Sequence, residues 1–119
     1  KPNLYVYKAK FLTNYDGDTV TVDIDLGMQT WLKGQKLRLY GIDTAELRGG
    51  TDESKEHAKK ARDFIRERIP PNTEILIETV RDRSGKFGRL LVVVFYGEGF
   101  ETNLNRELVE EGLATIYHP

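Results

Sequence analysis

Cysteine is absent from the 119-residue chain, and histidine occurs twice, as His57 and His118. The first absence removes disulfides, thiol nucleophiles and thiolate-bound zinc. So little imidazole leaves neither a Ser-His-Asp triad nor a histidine-rich zinc centre with suitable neighbours. A resident metal would be a hard cation held by oxygen. Long apolar runs are missing too: nothing approaches the roughly 18 residues of a membrane-spanning helix, nor a signal-like segment at the start. The chain opens on Lys1 rather than Met, as a processed or trimmed protein does, which leaves secreted and intracellular locations both open. A net charge of −1 gives no general attraction for nucleic acid. A local basic cleft is still compatible with it.

What is present fits one globular domain over residues 1–119. Its 39% hydrophobic and 31% charged residues are ordinary for a soluble protein, and the length suffices to bury a core without staples. Residues 5–13 read as a first strand, and Asn14-Tyr15-Asp16-Gly17-Asp18 as a turn. In 19–26, Val20, Val22, Ile24 and Leu26 alternate with Thr19, Thr21, Asp23 and Asp25. Asp18 has the parity of the apolar face and should point inward, an expensive place for a carboxylate unless a cation meets it. Residues 27–35 read as a longer connection containing Trp31, and 36–42 as a third strand.

From Asp52 the period becomes helical. Ala58, Ala61, Ile65 and Ile69 share one face, lysines and arginines fill the other, and Pro70-Pro71 ends the run. His57 reads as part of the solvated face. Residues 73–80 and 90–96 are two more strands, 103–111 a short helix capped by Gly112, and 113–117 an extended tail. Five strands, one helix between the third and fourth, and a short C-terminal helix predict a mainly β (α+β) fold around a small closed barrel of the OB type.

Three separated pieces carry unusual polar groups: Asp16-Gly17-Asp18-Thr19, the stretch from Arg38 to Glu46, and Lys86-Phe87-Gly88-Arg89. Each alone has an ordinary explanation as a hairpin turn, a solvated loop carboxylate or an exposed basic turn. Together they are an inventory for phosphodiester hydrolysis. Two aspartates from different strands suit calcium. Two arginines suit bidentate phosphate binding. A glutamate beyond them suits a positioned water.

These pieces resemble those of the staphylococcal nuclease (thermonuclease) family. The motifs are Asp16-Gly17-Asp18-Thr19, Arg38-Leu39-Tyr40-Gly41-Ile42-Asp43-Thr44-Ala45-Glu46, Gly88-Arg89, and Asn105 to Gly112-Leu113-Ala114, covering Asp16 to about Ala114. The resemblance implies an OB-type barrel and a Ca2+-dependent nuclease that cleaves single-stranded DNA and RNA, leaving 3′-phosphates. It implies Asp18, Asp43 and the Thr44 carbonyl as calcium ligands, with Asp16 in the outer shell. Glu46 would hold the attacking water, and Arg38 and Arg89 would bind the phosphate. Lys86, Phe87 and Tyr117 would touch substrate. Phe87 replaces a tyrosine of the best-studied members, Ala45 replaces a proline, and the family's further C-terminal helix is expected to be missing after Pro119. The expected partners are DNA and RNA as substrates, with no membrane, and the expected state is a monomer. A second reading is a non-catalytic OB module binding nucleic acid or protein, which the near-neutral charge suits and the full set of site residues opposes. A third is a structural domain that binds calcium for stability.

Overall fold

Strand alternation and one amphipathic helix, legible in the sequence, generate most of the architecture. The structure, a computed structural model, describes residues 5–44, 52–80 and 90–116. In chain order the elements are β1 (Val6–Asn14), β2 (Thr19–Gly27), β3 (Thr30–Leu39), β4 (Ile42–Asp43), α1 (Asp52–Arg68), β5 (Thr73–Val80), β6 (Leu90–Tyr96), β7 (Thr102–Asn103), α2 (Leu104–Glu110) and β8 (Thr115–Ile116). The main sheet runs β3-β2-β1-β5-β6, and β6 then pairs in parallel with β3, Arg38 opposite Leu91. That pairing closes a five-stranded barrel with two helices, the OB-type α+β fold expected.

Inward residues behave as their spacing predicts. Val20, Val22 and Ile24 are buried, and so are Ala58, Ala61 and Ile65 of α1 and Ile69 just past its end. Leu26, at the open end of β2, is exposed instead. The end of α2 is a Schellman cap: Gly112 takes a φ of 74° and its N–H donates to Val109 O, while Leu113 N–H donates to Leu108 O.

Two expectations are corrected. Residues 27–35 are not a long connection, because β3 begins at Thr30 and Gly27 pairs with Thr30 across a two-residue loop. Met28 and Gln29 hold φ values of 54° and 62°, the type I′ geometry that matches the twist of paired strands. Neither residue carries the Asn-Gly chemistry that advertises such a turn. Further along, Lys33 and Gly34 bulge opposite Asp23, whose Oδ1 accepts the Gly34 N–H at 2.8 Å. The second correction is to the third strand, which does not run on to Ile42. Gly41, at a φ of 79°, turns the chain, and Ile42–Asp43 pairs with Thr115–Ile116 instead. The expected extended tail thus supplies the partner strand for Asp43.

Candidate metal and anion site

A tight turn at the mouth of the barrel starts the site. Asp16 Oδ1 accepts the N–H groups of Asp18 at 3.2 Å and Thr19 at 3.0 Å, which folds the turn back on itself. Gly17 lies at its tip between α1 and Thr44. A Cβ there would stand 2.7 Å from Ala61 Cβ and 2.9 Å from Thr44 Cγ2, so no larger residue fits without displacement.

Asp18 is buried, at 5% exposure, and a cation meets it. Arg38 Nη1 donates to Asp18 Oδ2 at 2.9 Å, and the Thr44 N–H reaches the same oxygen at 3.4 Å. Thr19 Oγ1 donates to Asp18 Oδ1 at 3.4 Å. Arg38 Nη2 turns to the other wall, where it donates to Ile42 O at 3.3 Å and to Asp43 Oδ1 at 3.4 Å. The kink at Gly41 makes this possible, because it brings Asp43 back towards the strand that carries Arg38. Asn105 of α2 holds that corner: its Nδ2 donates to Tyr40 O and Val92 O, and its Oδ1 accepts the Val94 N–H.

The charges respond to this crowding. Burial first, then the hydrogen bond and charge of Asp18, push the Asp16 carboxyl up to about 6. Burial works in the same direction on Asp18, but the hydrogen bond from Asp16, the Arg38 guanidinium and the Thr44 N–H outweigh it and hold Asp18 below the usual carboxylate range. Arg38 is desolvated, yet the carboxylates of Asp18 and Asp43 raise it further.

The structure thus brings together Asp16, Asp18, Arg38, Asp43 and Thr44. Glu46, Lys86, Phe87, Arg89 and Tyr117 lie outside the described residues. A hard cation suits what is present. The donors are carboxylate, carbonyl and hydroxyl oxygens, and Thr44 Oγ1 is buried with no hydrogen-bond partner among the described residues. Among those residues no group of three or more His, Cys, Asp or Glu is close enough to hold a metal. Asp18 and Asp43 are linked through Arg38, and Glu46 is expected to hold the attacking water rather than the metal. His57, read as part of a solvated face, is exposed and also lines an open groove of about 320 Å³ with Asp43, Thr44 and residues 112–115.

Two side chains that matter here were not singled out in the sequence. Asn14 looked only like turn chemistry, yet it is 1% exposed and bonded to Arg66 of α1, 52 residues away. No local signal marks such a pairing.

The mouth of this closed OB-type barrel thus gathers aspartates around an arginine. Comparison with known proteins makes the class specific. A family model described as staphylococcal nuclease homologue matches residues 36–119, and the chain belongs to that family. It is 32% identical over 112 residues to a protein named thermonuclease from Staphylococcus hyicus, covering 92% of this chain and 60% of that protein. It is 29% identical over 107 residues to endonuclease YhcR of Bacillus subtilis (strain 168), covering 86% of this chain and 8% of that protein. The chain therefore spans about three-fifths of the first relative's length and a small part of the second's. No helix among the described residues is long and apolar enough to cross a membrane.

Proposed function

We propose that this chain is a Ca2+-dependent nuclease that hydrolyses phosphodiester bonds of single-stranded DNA and RNA and leaves 3′-phosphates. The observation that carries the reading is the convergence of Asp18, Arg38, Asp43 and Thr44 at one barrel mouth from the turn before β2, the end of β3 and the β4 segment. Membership of the nuclease family and relatives named thermonuclease and endonuclease support it.

Asp18, Asp43 and the Thr44 carbonyl would hold calcium, with Asp16 fixing the turn behind them. Bound there, calcium supplies Lewis-acid polarisation and neutralises charge on the phosphate. Arg38 and Arg89 present forked N–H donors to the phosphate oxygens as charge builds at a five-coordinate phosphorus. Glu46 orients a water and takes its proton as the oxygen attacks phosphorus. The bond from phosphorus to the 5′ oxygen breaks, the leaving oxygen gains a proton, and the phosphate stays on the 3′ oxygen. Lys86, Phe87 and Tyr117 would line the substrate path.

The test is hydrolysis of a single-stranded DNA oligonucleotide and of RNA with millimolar calcium, with chelator, and by Glu46→Ser and Arg89→Ala. The expected result is calcium-dependent cleavage reduced by orders of magnitude in either variant. No cleavage by the pure protein would sink the proposal. Net charge favours one other reading: at −1 the protein has no net positive charge to attract nucleic acid generally. Binding without turnover would make it a non-catalytic OB module.

A further inference from the structure

We infer that Asn14 and Arg66 are a positioning pair that fixes the Asp16–Asp18 turn to α1 and so sets where Asp18 presents its carboxylate. This rests on the metal-site reading above and adds to it two residues that touch neither metal nor substrate.

Asn14 is the last residue of β1, with 1% of its surface exposed. A carboxamide so buried is costly unless its donors and acceptor are matched. Here each finds a partner, one in the turn and two on α1. Its Nδ2 donates to Asp16 O at 3.2 Å and to Arg62 O at 3.1 Å. Its Oδ1 accepts from Arg66 Nε at 2.9 Å, and Arg66 Nη2 donates to the Asn14 carbonyl at 2.9 Å. One side chain thus joins the strand end, the turn and the helix.

The link continues into the site. Asp16, whose carbonyl Asn14 holds, uses its own side chain to hold the N–H groups of Asp18 and Thr19. Gly17, between them, has Ala61 of α1 on one side and Thr44 on the other. The contacts of α1 through Ala58, Ala61 and Ile65 are apolar and non-directional, so they define its register along the barrel less sharply than hydrogen bonds do. The Asn14 bonds are directional and fix that register. A shift of α1 would carry the turn, and with it Asp18, relative to Asp43. Partners of this kind behind metal ligands typically matter by about 10–100-fold in metal affinity.

Calcium chloride titrated calorimetrically into the calcium-free protein tests this, at a temperature where every variant is fully folded by near-UV circular dichroism. Asn14→Ala is expected to weaken calcium binding by about 10-fold or more, and Arg66→Leu by several-fold, with Arg66→Lys between Arg66→Leu and the wild type. The Asn14→Ala/Arg66→Leu double variant should bind no more weakly than Asn14→Ala alone, because both act through one link. Tyr96→Phe, which removes a hydrogen bond to Glu107 on the α2 side, lowers stability without touching the turn and sets the effect of stability loss alone. If Asn14→Ala and Arg66→Leu weaken calcium binding no more than Tyr96→Phe, the pair is merely structural and the inference falls. If Asn14→Ala does not fold, the exposed Arg66 variants carry the test. A wild type that binds no calcium defeats the metal-site reading instead. Amide exchange in calcium-free protein still reads the turn then: Asp18 and Thr19 should lose protection in Arg66→Leu beyond the global change, and equal protection would overturn the inference.

Discussion

Arg38 and Asp18 meet through a 2.9 Å ion pair in which their side chains keep 17% and 8% of their exposure. The same guanidinium reaches Asp43 at 3.4 Å. Arg38 is thus the internal counter-ion of both carboxylates proposed for calcium. Arg38→Met should destabilise the calcium-free protein by about 3 kcal/mol, because it strands a buried carboxylate. Saturating calcium should recover much of that loss by linkage. Urea unfolding with and without calcium measures both, and a variant as stable as the wild type without calcium contradicts the pairing. Arg38→Lys keeps the charge but loses the fork, and should lower kcat/KM on single-stranded DNA by roughly 10²–10³-fold.

Acidity should control calcium binding through Asp16. Its carboxyl titrates near 6 in the folded protein against 3.8 ordinarily, first through burial and then through Asp18. Between those values the folded state binds more protons than the unfolded chain. Asp16 therefore stabilises the calcium-free protein fully below about 3.8, and that contribution is lost as pH rises through about 6. Asp18 has the opposite sign: its lowered pKa contributes stability that is present above the ordinary carboxylate value and is lost as pH falls through the folded value. Apparent calcium affinity should drop as pH falls below about 6, with a proton released on binding. Calorimetry in two buffers of different ionisation enthalpy counts that proton. Asp16→Asn should abolish the release.

At Gly17 the expected effect is steric. Gly17→Ala places a methyl 2.7 Å from Ala61 Cβ and 2.9 Å from Thr44 Cγ2. It should cost about 1–3 kcal/mol in thermal unfolding. Adding Ala61→Gly should recover part of that loss by opening the helix side. Equal melting of Gly17→Ala and wild type would contradict the close approach.

Thr44 gives the reverse expectation. Its Oγ1 is buried and without a partner among the described residues, so Thr44→Val should leave calcium-free stability unchanged or raise it by about 1 kcal/mol. A clear loss in chemical unfolding would mean that the hydroxyl has a partner.

Much of the fold could be read locally. The β2 alternation, the Ala58-Ala61-Ile65-Ile69 face and Gly112 each follow from periods and backbone preferences that span a few residues. The Met28–Gln29 turn could not, because its positive φ values are imposed by strand pairing rather than chosen by those side chains. The break at Gly41 was hidden for a related reason: Ile42–Asp43 leaves β3 only because Thr115–Ile116, 72 residues on, offers a partner for Asp43.

For the site, the sequence alone determined the residue types available. It named the acidic turn, the arginine and the following aspartate and threonine, and placed Asp18 inward by parity. Only the tertiary structure decided that Arg38 spans Asp18 and Asp43, that Gly17 lies between Ala61 and Thr44, and that Asn14 ties the turn to Arg66. Side-chain type and strand parity are properties of short stretches. Distances between Asp18, Asp43 and α1 exist only once β6 pairs with β3 and closes the barrel.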